Sequence, residues 1–155
     1  MKLARLISEL DVRMAKVLAP LADVVLLVLR LTWGWQFFRT GLGKLRNIER
    51  VVAYFTSLGI PAPALNARVV GTLELAGGLL LLVGLFSRPV ALLLTGNMLV
   101  AYLAGDREAL FGVFSNLDAF QKADPFMFLL VSVIVLAFGA GAVSLDRLVQ
   151  KASNG

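Results

Sequence analysis

The stretch that decides the fold is VVGTLELAGGLLLLVGLF, residues 69–86. Its only ionisable side chain is Glu74. An apolar run of this length predicts a helix that spans a membrane. A carboxylate inside such a run is costly unless it has a partner, a proton or contact with water. We therefore expect Glu74 to face the interior of a helical bundle.

Glycines surround Glu74 and recur in the first predicted span. Small residues allow two helices to approach closely, which favours association where lipid provides no hydrophobic driving force. The positions are Gly71, Gly77, Gly78 and Gly84 in this stretch, and Gly34 and Gly41 in the first span. We expect the face with Gly34 and Gly41 to pack against the face with Gly71 and Gly78.

The composition supports a membrane protein throughout. The chain has 155 residues, of which 59% are hydrophobic and 16% charged, with a mean hydropathy of +0.84. These values are typical of a polytopic membrane protein rather than a soluble domain. The length suits one compact bundle. We expect the lipid bilayer to surround it as a partner.

The chain contains no cysteine and no histidine, and each absence excludes a group of reactions and metal sites. Without cysteine there is no disulfide, thiol chemistry or thiolate metal site. Without histidine the commonest metal and haem ligand is missing. We therefore expect neither haem nor metal. The net charge of +5 is modest, and in a membrane chain it fits headgroup contacts better than nucleic acid.

Apolar runs predict four spans, and the fold class is all-α. We expect a polytopic membrane protein: a four-transmembrane-helix bundle with an N-terminal amphipathic interfacial helix. The spans cover about 21–38, 69–86, 89–104 and 125–143. The predicted organisation is an amphipathic interfacial segment over 1–19, the bundle over 20–148 and a polar tail over 149–155.

Two further segments have helical periodicity. In residues 1–19 an apolar face opposes a charged one, which is typical of a membrane anchor or of a docking site for a soluble partner. Residues 47–57 predict a short amphipathic helix that covers the mouth of the bundle as a lid.

Residues 105–124, between the third and fourth spans, are interpreted as a polar and aromatic loop. In the third span, Asn97 is expected to form an interhelical hydrogen bond.

Arg30 is the charged group most in need of a partner in the first span. A guanidinium in a protein does not lose its charge, so Arg30 should face the bundle interior and meet an anion. Glu74 is the best candidate and Asp23 the next. Such a buried pair could set the register of the helices or take part in function, and the residue pattern leaves both readings open.

The sequence resembles the DoxX family of small bacterial membrane proteins over roughly residues 24–148. The resemblance rests on Arg30, Gly34, Gly41 and Lys44, on Tyr54-Phe55, on LGIPAP at 58–63, on GTLELAGG at 71–78, and on Gly84, Arg88 and Leu145-Asp146. It implies a four-helix membrane bundle. It also implies a link to quinone-coupled thiosulfate oxidation, or to membrane complexes with thiol-handling and oxidant-defence enzymes.

These features lead to a functional hypothesis with one alternative. We expect a membrane subunit of a quinone-linked oxidoreductase complex that binds a quinone or a small anion near Arg30 and Glu74. No side chain here can store electrons, so a quinone or a partner protein must carry them. The expected ligand-binding residues are Arg30, Glu74, Lys44, Trp33, Tyr54 and Arg88. The alternative is a non-catalytic anchor or scaffold for soluble partner enzymes, and a homo-oligomer is left open.

The expected location is the bacterial cytoplasmic (inner) membrane. Basic residues outside the spans divide seven against seven between the two sides, so their distribution does not decide the orientation. The basic N-terminal flank favours cytoplasmic termini.

Overall fold

The structure, a computed structural model, describes the backbone of residues 2–153 and the side chains of residues 7–153. Every regular element in this described part is a helix, which confirms the all-α prediction. The helices are α1 (Lys2–Arg46), α2 (Ile48–Ser57), α3 (Pro63–Val83), α4 (Ser87–Gly105), α5 (Arg107–Phe111), α6 (Leu117–Lys122), α7 (Phe126–Phe138) and α8 (Leu145–Ser153).

Four of these helices pack around one core. α1 contacts α3 and α7, and α4 contacts both α3 and α7, so the four contacts close a ring. The core includes Phe37 of α1, Leu81 of α3, Leu94 of α4 and Val131 of α7. One end of the bundle, here called the loop end, contains Arg46, α2 and the start of α3. The opposite end, called the tail end, contains the turn at Gly84 and the start of α8.

Two helices in the described part, α3 and α4, are long and apolar enough to cross a membrane. α7 is apolar but shorter. Pro63 occupies the first turn of α3, where its missing N–H costs no helical hydrogen bond. Gly84 ends α3 with a positive φ of 69°, and the chain then turns directly into α4.

The closest approach in the bundle is between α1 and α3, on the predicted glycine faces. A Cβ atom at Gly41 would overlap the backbone of Leu75, and one at Gly78 would overlap the backbone of Phe38. A Cβ atom at Gly34 would lie 3.1 Å from Gly78 O. The two helices therefore touch backbone to backbone, which confirms the predicted glycine contact.

The N-terminal part of α1 is continuous with the first predicted span. The structure has no helix boundary after residue 19, because α1 continues from Lys2 to Arg46 with Pro20 inside it. Proline removes one backbone hydrogen bond, but good helix formers such as Ala19 and Leu21 flank it and the helix does not end. All residues from 7 to 22 are exposed.

Three other segments refine the prediction. The lid segment is helical as α2, as predicted, whereas the predicted loop 105–124 contains the short helices α5 and α6. The last apolar helix ends at Phe138 rather than at residue 143, because Gly139 and Gly141 take positive φ angles and turn the chain. The predicted polar tail is helical as far as Ser153, and residues 154–155 lie outside the described part.

Candidate functional site

Glu74 forms an ion pair with Lys44 in the bundle interior. Lys44 Nζ donates to both carboxylate oxygens of Glu74, at 2.5 and 2.6 Å. The Glu74 side chain is 2% exposed, whereas that of Lys44 is 31% exposed. The lysine therefore connects a buried carboxylate on α3 with the surface at the loop end.

Asn97 joins this pair from a third helix. Its Nδ2 group on α4 donates to Glu74 Oε1 at 3.0 Å. The predicted interhelical hydrogen bond of Asn97 is thus confirmed, with Glu74 as its acceptor. Lys44, Glu74 and Asn97, here called the carboxylate cluster, tie α1, α3 and α4 together.

Arg30 does not bind Glu74, so the predicted pair is wrong. Its side chain is fully buried, and it donates to two backbone carbonyls: Nη1 to Leu81 O at 3.5 Å and Nη2 to Val143 O at 2.5 Å. Leu81 lies seven residues beyond Glu74 on α3, which is about 10 Å along a helix. The two charges therefore occupy different levels of the bundle.

The antiparallel register of α1 and α3 explains this separation. Gly34 lies beside Gly78, and Gly41 beside Gly71. Moving from Gly34 back to Arg30 along α1 therefore means moving forward along α3, away from Glu74 and toward Gly84. A Cβ atom at Gly84 would overlap Arg30 Nη1, so this glycine leaves room for the guanidinium.

The surroundings of Arg30 hold the tail end together. The Asp146 carboxylate on α8 accepts from Phe86 N at 2.8 Å and from Ser87 N at 2.9 Å. Asp23 Oδ1 accepts from Ala142 N at 2.7 Å. Arg30 Nε is buried and has no hydrogen-bond partner among the described residues. These contacts fasten the segment after α7 to α1, α3 and the start of α4.

The remaining predicted ligand residues are dispersed. Trp33 packs edge to face on Phe128, with ring centroids 5.0 Å apart, inside the bundle. The Tyr54 hydroxyl lies at the loop end, 3.2 Å from the position of a Cβ atom on Gly105. Arg88 is exposed at the tail end and donates to Ala137 O at 3.3 Å. Of the six predicted residues, the structure brings Lys44 and Glu74 into contact, and Tyr54 lies at the same end.

A cavity of about 460 Å³ opens at the tail end. Its charged lining consists of Asp23, Arg88, Asp146 and Arg147. The two acids are already bonded to the backbone amides of the adjoining turns. The cavity is therefore lined by equal numbers of basic and acidic groups, and it is separate from the carboxylate cluster.

The fold and the site define an all-helical membrane protein with a buried ionic cluster. A sequence model described as DoxX matches residues 25–107. The chain belongs to the DoxX family, which confirms the resemblance. No solved structure matches the chain.

Three named relatives are similar over most of their length. "Putative oxidoreductase CatD" of Bacillus subtilis (strain 168) is 30% identical over 129 residues, which cover 83% of this chain and 90% of the relative. Two further relatives come from Escherichia coli (strain K12). "Inner membrane protein YphA" is 30% identical over 80% of this chain and 89% of the relative. "Inner membrane protein YqjF" is 33% identical over 84% of this chain and 96% of the relative. This chain is accordingly a protein of the bacterial cytoplasmic membrane.

Proposed function

We propose that this protein is a membrane subunit of a quinone-linked oxidoreductase complex, with a quinone headgroup site beside the carboxylate cluster. The observation that carries the proposal is a buried carboxylate whose cationic partner is one-third exposed. Quinone carbonyls accept hydrogen bonds, and Lys44 Nζ and Asn97 Nδ2 are donors in one place. The name of the Bacillus relative, an oxidoreductase, supports the same class of function.

The cluster can supply protons but not electrons. Reduction of a quinone to a quinol takes up two electrons and two protons at its carbonyl oxygens. Lys44 and Glu74 are groups that can hold and pass a proton at such an oxygen. The electrons must come from a partner protein that carries a redox centre. That partner acts in sulfur-compound oxidation or in oxidant defence, as the family resemblance implies.

The ligand set is smaller than the one expected from the sequence. Arg30 is enclosed by the ends of α3 and α7, where it binds backbone carbonyls. Arg88 lies at the tail end. We therefore assign the headgroup to Lys44, Glu74 and Asn97, with Tyr54 at the mouth of the site. A small anion such as thiosulfate would meet Lys44 first.

We also propose that α1, α3, α4 and α7 all cross the membrane as a four-helix bundle. The ring of contacts among them supports this arrangement, since each helix packs on two neighbours. The predicted interfacial position of residues 1–19 stays a prediction. It would require α1 to bend sharply near Pro20.

Photolabelling tests the quinone site. An azido-ubiquinone probe is irradiated in native membranes, and labelled peptides are identified by mass spectrometry. We expect label on peptides that contain Lys44 or Asn97, and a strong loss of label in Glu74→Gln. Arg39→Gln, an exposed position on the same helix, is the control and should keep the label. Uniform labelling, or full labelling in Glu74→Gln, would refute the site.

The alternative function is a scaffold for soluble partner enzymes. The observation that favours it is the exposed N-terminal third of α1, with a charged face that includes Glu9, Arg13 and Lys16. Affinity purification from native membranes with mass spectrometry separates the two functions. A soluble enzyme that co-purifies with the chain, together with no photolabel at the carboxylate cluster, would favour the scaffold.

A further inference from the structure

The cavity at the tail end can bind a ligand independently of the carboxylate cluster. Its volume of about 460 Å³ falls within the range of about 300–1,000 Å³ that is usual for small-molecule sites. Arg88, in the first turn of α4, and Arg147, in the first turn of α8, both line it. Two arginines from separate helices therefore meet at one cavity.

The two acidic residues in the lining are bonded to the backbone rather than to these arginines. Both carboxylate oxygens of Asp146 accept hydrogen bonds, from Phe86 N at 2.8 Å and from Ser87 N at 2.9 Å. Asp23 Oδ1 accepts from Ala142 N at 2.7 Å. Hydrogen bonds from backbone amides stabilise a carboxylate where it is, so the acids serve the turns on either side of the cavity.

The arginines keep donors available for a ligand. Within the described part of the chain, neither forms an ion pair. Arg88 Nη2 donates to Ala137 O at 3.3 Å, and the Arg147 side chain makes no hydrogen bond to a described residue. A guanidinium carries its N–H donors in a forked arrangement that matches the oxygen atoms of a phosphate. Two such groups at one cavity therefore favour an oxyanion.

The position of the cavity points to a source of phosphate. Arg88 directly follows the turn between α3 and α4, the two helices that are long and apolar enough to cross a membrane. This turn lies at the level of the lipid headgroups when both helices cross. Phe138, which also lines the cavity, is 71% exposed and gives the opening an apolar edge. Basic pockets between membrane helices at this level bind anionic lipid headgroups.

We propose that the tail-end cavity binds a phosphate group between Arg88 and Arg147. Its position favours the phosphate of an anionic phospholipid, and inorganic phosphate is the other source of the same chemistry. The lipid source rests on the proposed crossing of the membrane by α3 and α4, whereas the phosphate site itself does not. A phosphate held there joins the first turns of α4 and α8, so its binding should also stabilise the tail end.

Lipid titration followed by native mass spectrometry tests the site on the full chain in detergent. The probe is dioleoyl phosphatidylglycerol, and the substitution is Arg147→Gln, which breaks no side-chain hydrogen bond with the described residues. We expect the dissociation constant of the tightest lipid to rise at least about tenfold, because charge-assisted hydrogen bonds are lost. Lys151→Gln is the matched control, since it removes the same charge one turn later on α8, outside the cavity lining. It should bind the lipid as the unmodified chain does.

A second substitution and a second probe complete the test. Arg88→Gln should weaken lipid binding as Arg147→Gln does, because it acts on the same phosphate from α4. Arg147→Lys should keep part of the affinity, since it retains the charge but not the forked donors. In the second arm, inorganic phosphate replaces the lipid, and the melting temperature is followed by tryptophan fluorescence against chloride at equal ionic strength. Stabilisation by phosphate that Arg147→Gln abolishes, with lipid affinity unchanged, would assign the site to free phosphate.

Two results would overturn the phosphate site. Equal loss of lipid affinity in Arg147→Gln and Lys151→Gln would show a general attraction of basic residues to anionic lipid. A second contrary result is that neither probe distinguishes Arg147→Gln from the unmodified chain. Azido-ubiquinone labelling at the carboxylate cluster should be the same in all these variants, so the phosphate site and the quinone site can fail separately.

Discussion

Glu74 and Arg30 are both buried charges, but their partners differ in kind. Glu74 is paired with an opposite charge and an amide, whereas Arg30 donates to two backbone carbonyls. An ion pair with one partner near the surface can exchange protons or admit a ligand. A guanidinium closed in by carbonyls has no such freedom. This difference supports the proposed functional role of Glu74 and a structural role for Arg30.

Removing one member of the Lys44–Glu74 pair should be more harmful than removing both. Lys44→Met leaves a buried carboxylate without its cation, at a cost of about 3–5 kcal/mol. Glu74→Gln should cost less, because the lysine side chain is about one-third exposed and can turn to water. The double variant should cost clearly less than the sum of the two. The measurement is the free energy of unfolding in detergent micelles.

The exposed pair Lys122–Asp118 is the matched control for this experiment. Its atoms are as close, at 2.6 Å, but both side chains are more than 70% exposed. Asp118→Asn should change stability by no more than about 0.5 kcal/mol. Additive effects at Lys44 and Glu74 would show that the two residues do not interact.

Arg30→Met should destabilise the tail end without affecting the proposed quinone site. Val143 O would lose its charged donor, whereas Leu81 O would still accept from Gly84 N at 3.1 Å. A lost hydrogen bond to a charged group costs about 1.5–3 kcal/mol. Arg30→Lys should restore only part of the lost stability, because a single ammonium group cannot donate to both carbonyls as the forked guanidinium does. Photolabelling at the carboxylate cluster should be unchanged in both variants.

The same residue also tests the separation of the two charges. Because Arg30 and Glu74 share no partner, the effects of Arg30→Met and Glu74→Gln should add within about 0.5 kcal/mol. A large coupling energy in this double-mutant cycle would mean that the two side chains interact after all.

At the scale of secondary-structure elements, the α1–α3 contact positions the carboxylate cluster. The glycines in this contact let the backbones of α1 and α3 touch. The register of α1 against α3 then determines which side chains face each other. Gly41 lies beside Gly71, so Lys44 falls near the start of α3 and can reach back to Glu74. A wider separation of the two helices would break this short ion pair.

Alanine substitutions test the contact directly. Gly41→Ala and Gly78→Ala introduce a Cβ atom that overlaps backbone, so each should destabilise the protein by about 1–3 kcal/mol. Gly43→Ala is the control on the same helix, because nothing lies within 4 Å of its Cβ position. That variant should gain up to about 1 kcal/mol from helix propensity. Equal stability of Gly41→Ala and Gly43→Ala would place α1 and α3 farther apart.

At the scale of the whole molecule, the two ends of the bundle have different roles. The carboxylate cluster connects to the surface at the loop end through Lys44, and α2 packs on α3 at this end. At the tail end, Arg30 and Asp23 bind the turn after α7, and Asp146 of α8 binds the turn between α3 and α4. The N-terminal third of α1 extends from this same tail end.

The orientation in the membrane can be tested with reporters. We expect the tail end to be cytoplasmic, because the first flank of the chain is basic. Green fluorescent protein fused after Gly155 should fluoresce, and alkaline phosphatase fused there should be inactive. The same reporters inserted after Gly59, at the loop end, should give the opposite result. Active phosphatase at Gly155 would reverse the orientation.

Much of the architecture could be read from local sequence. The apolar runs located α3 and α4, the periodicity of residues 47–57 located α2, and the glycine faces predicted the α1–α3 contact. These features depend on local properties such as hydropathy, helical period and residue size. The buried position of Glu74 followed in the same way, since a lone carboxylate in an apolar run must face inward.

The pairing of charges depended on long-range geometry instead. Arg30 and Glu74 were matched because both are charged and lie near glycine faces, but the register of two antiparallel helices determines which level each side chain reaches. That register places Lys44 at the carboxylate and Arg30 at the end of α3. Likewise, the turn after Phe138 depends on contacts from α1, because Arg30 donates to Val143 O and Asp23 accepts from Ala142 N, both distant in the sequence. Such pairings arise when separate elements pack together, and hydropathy or spacing along one element does not specify them.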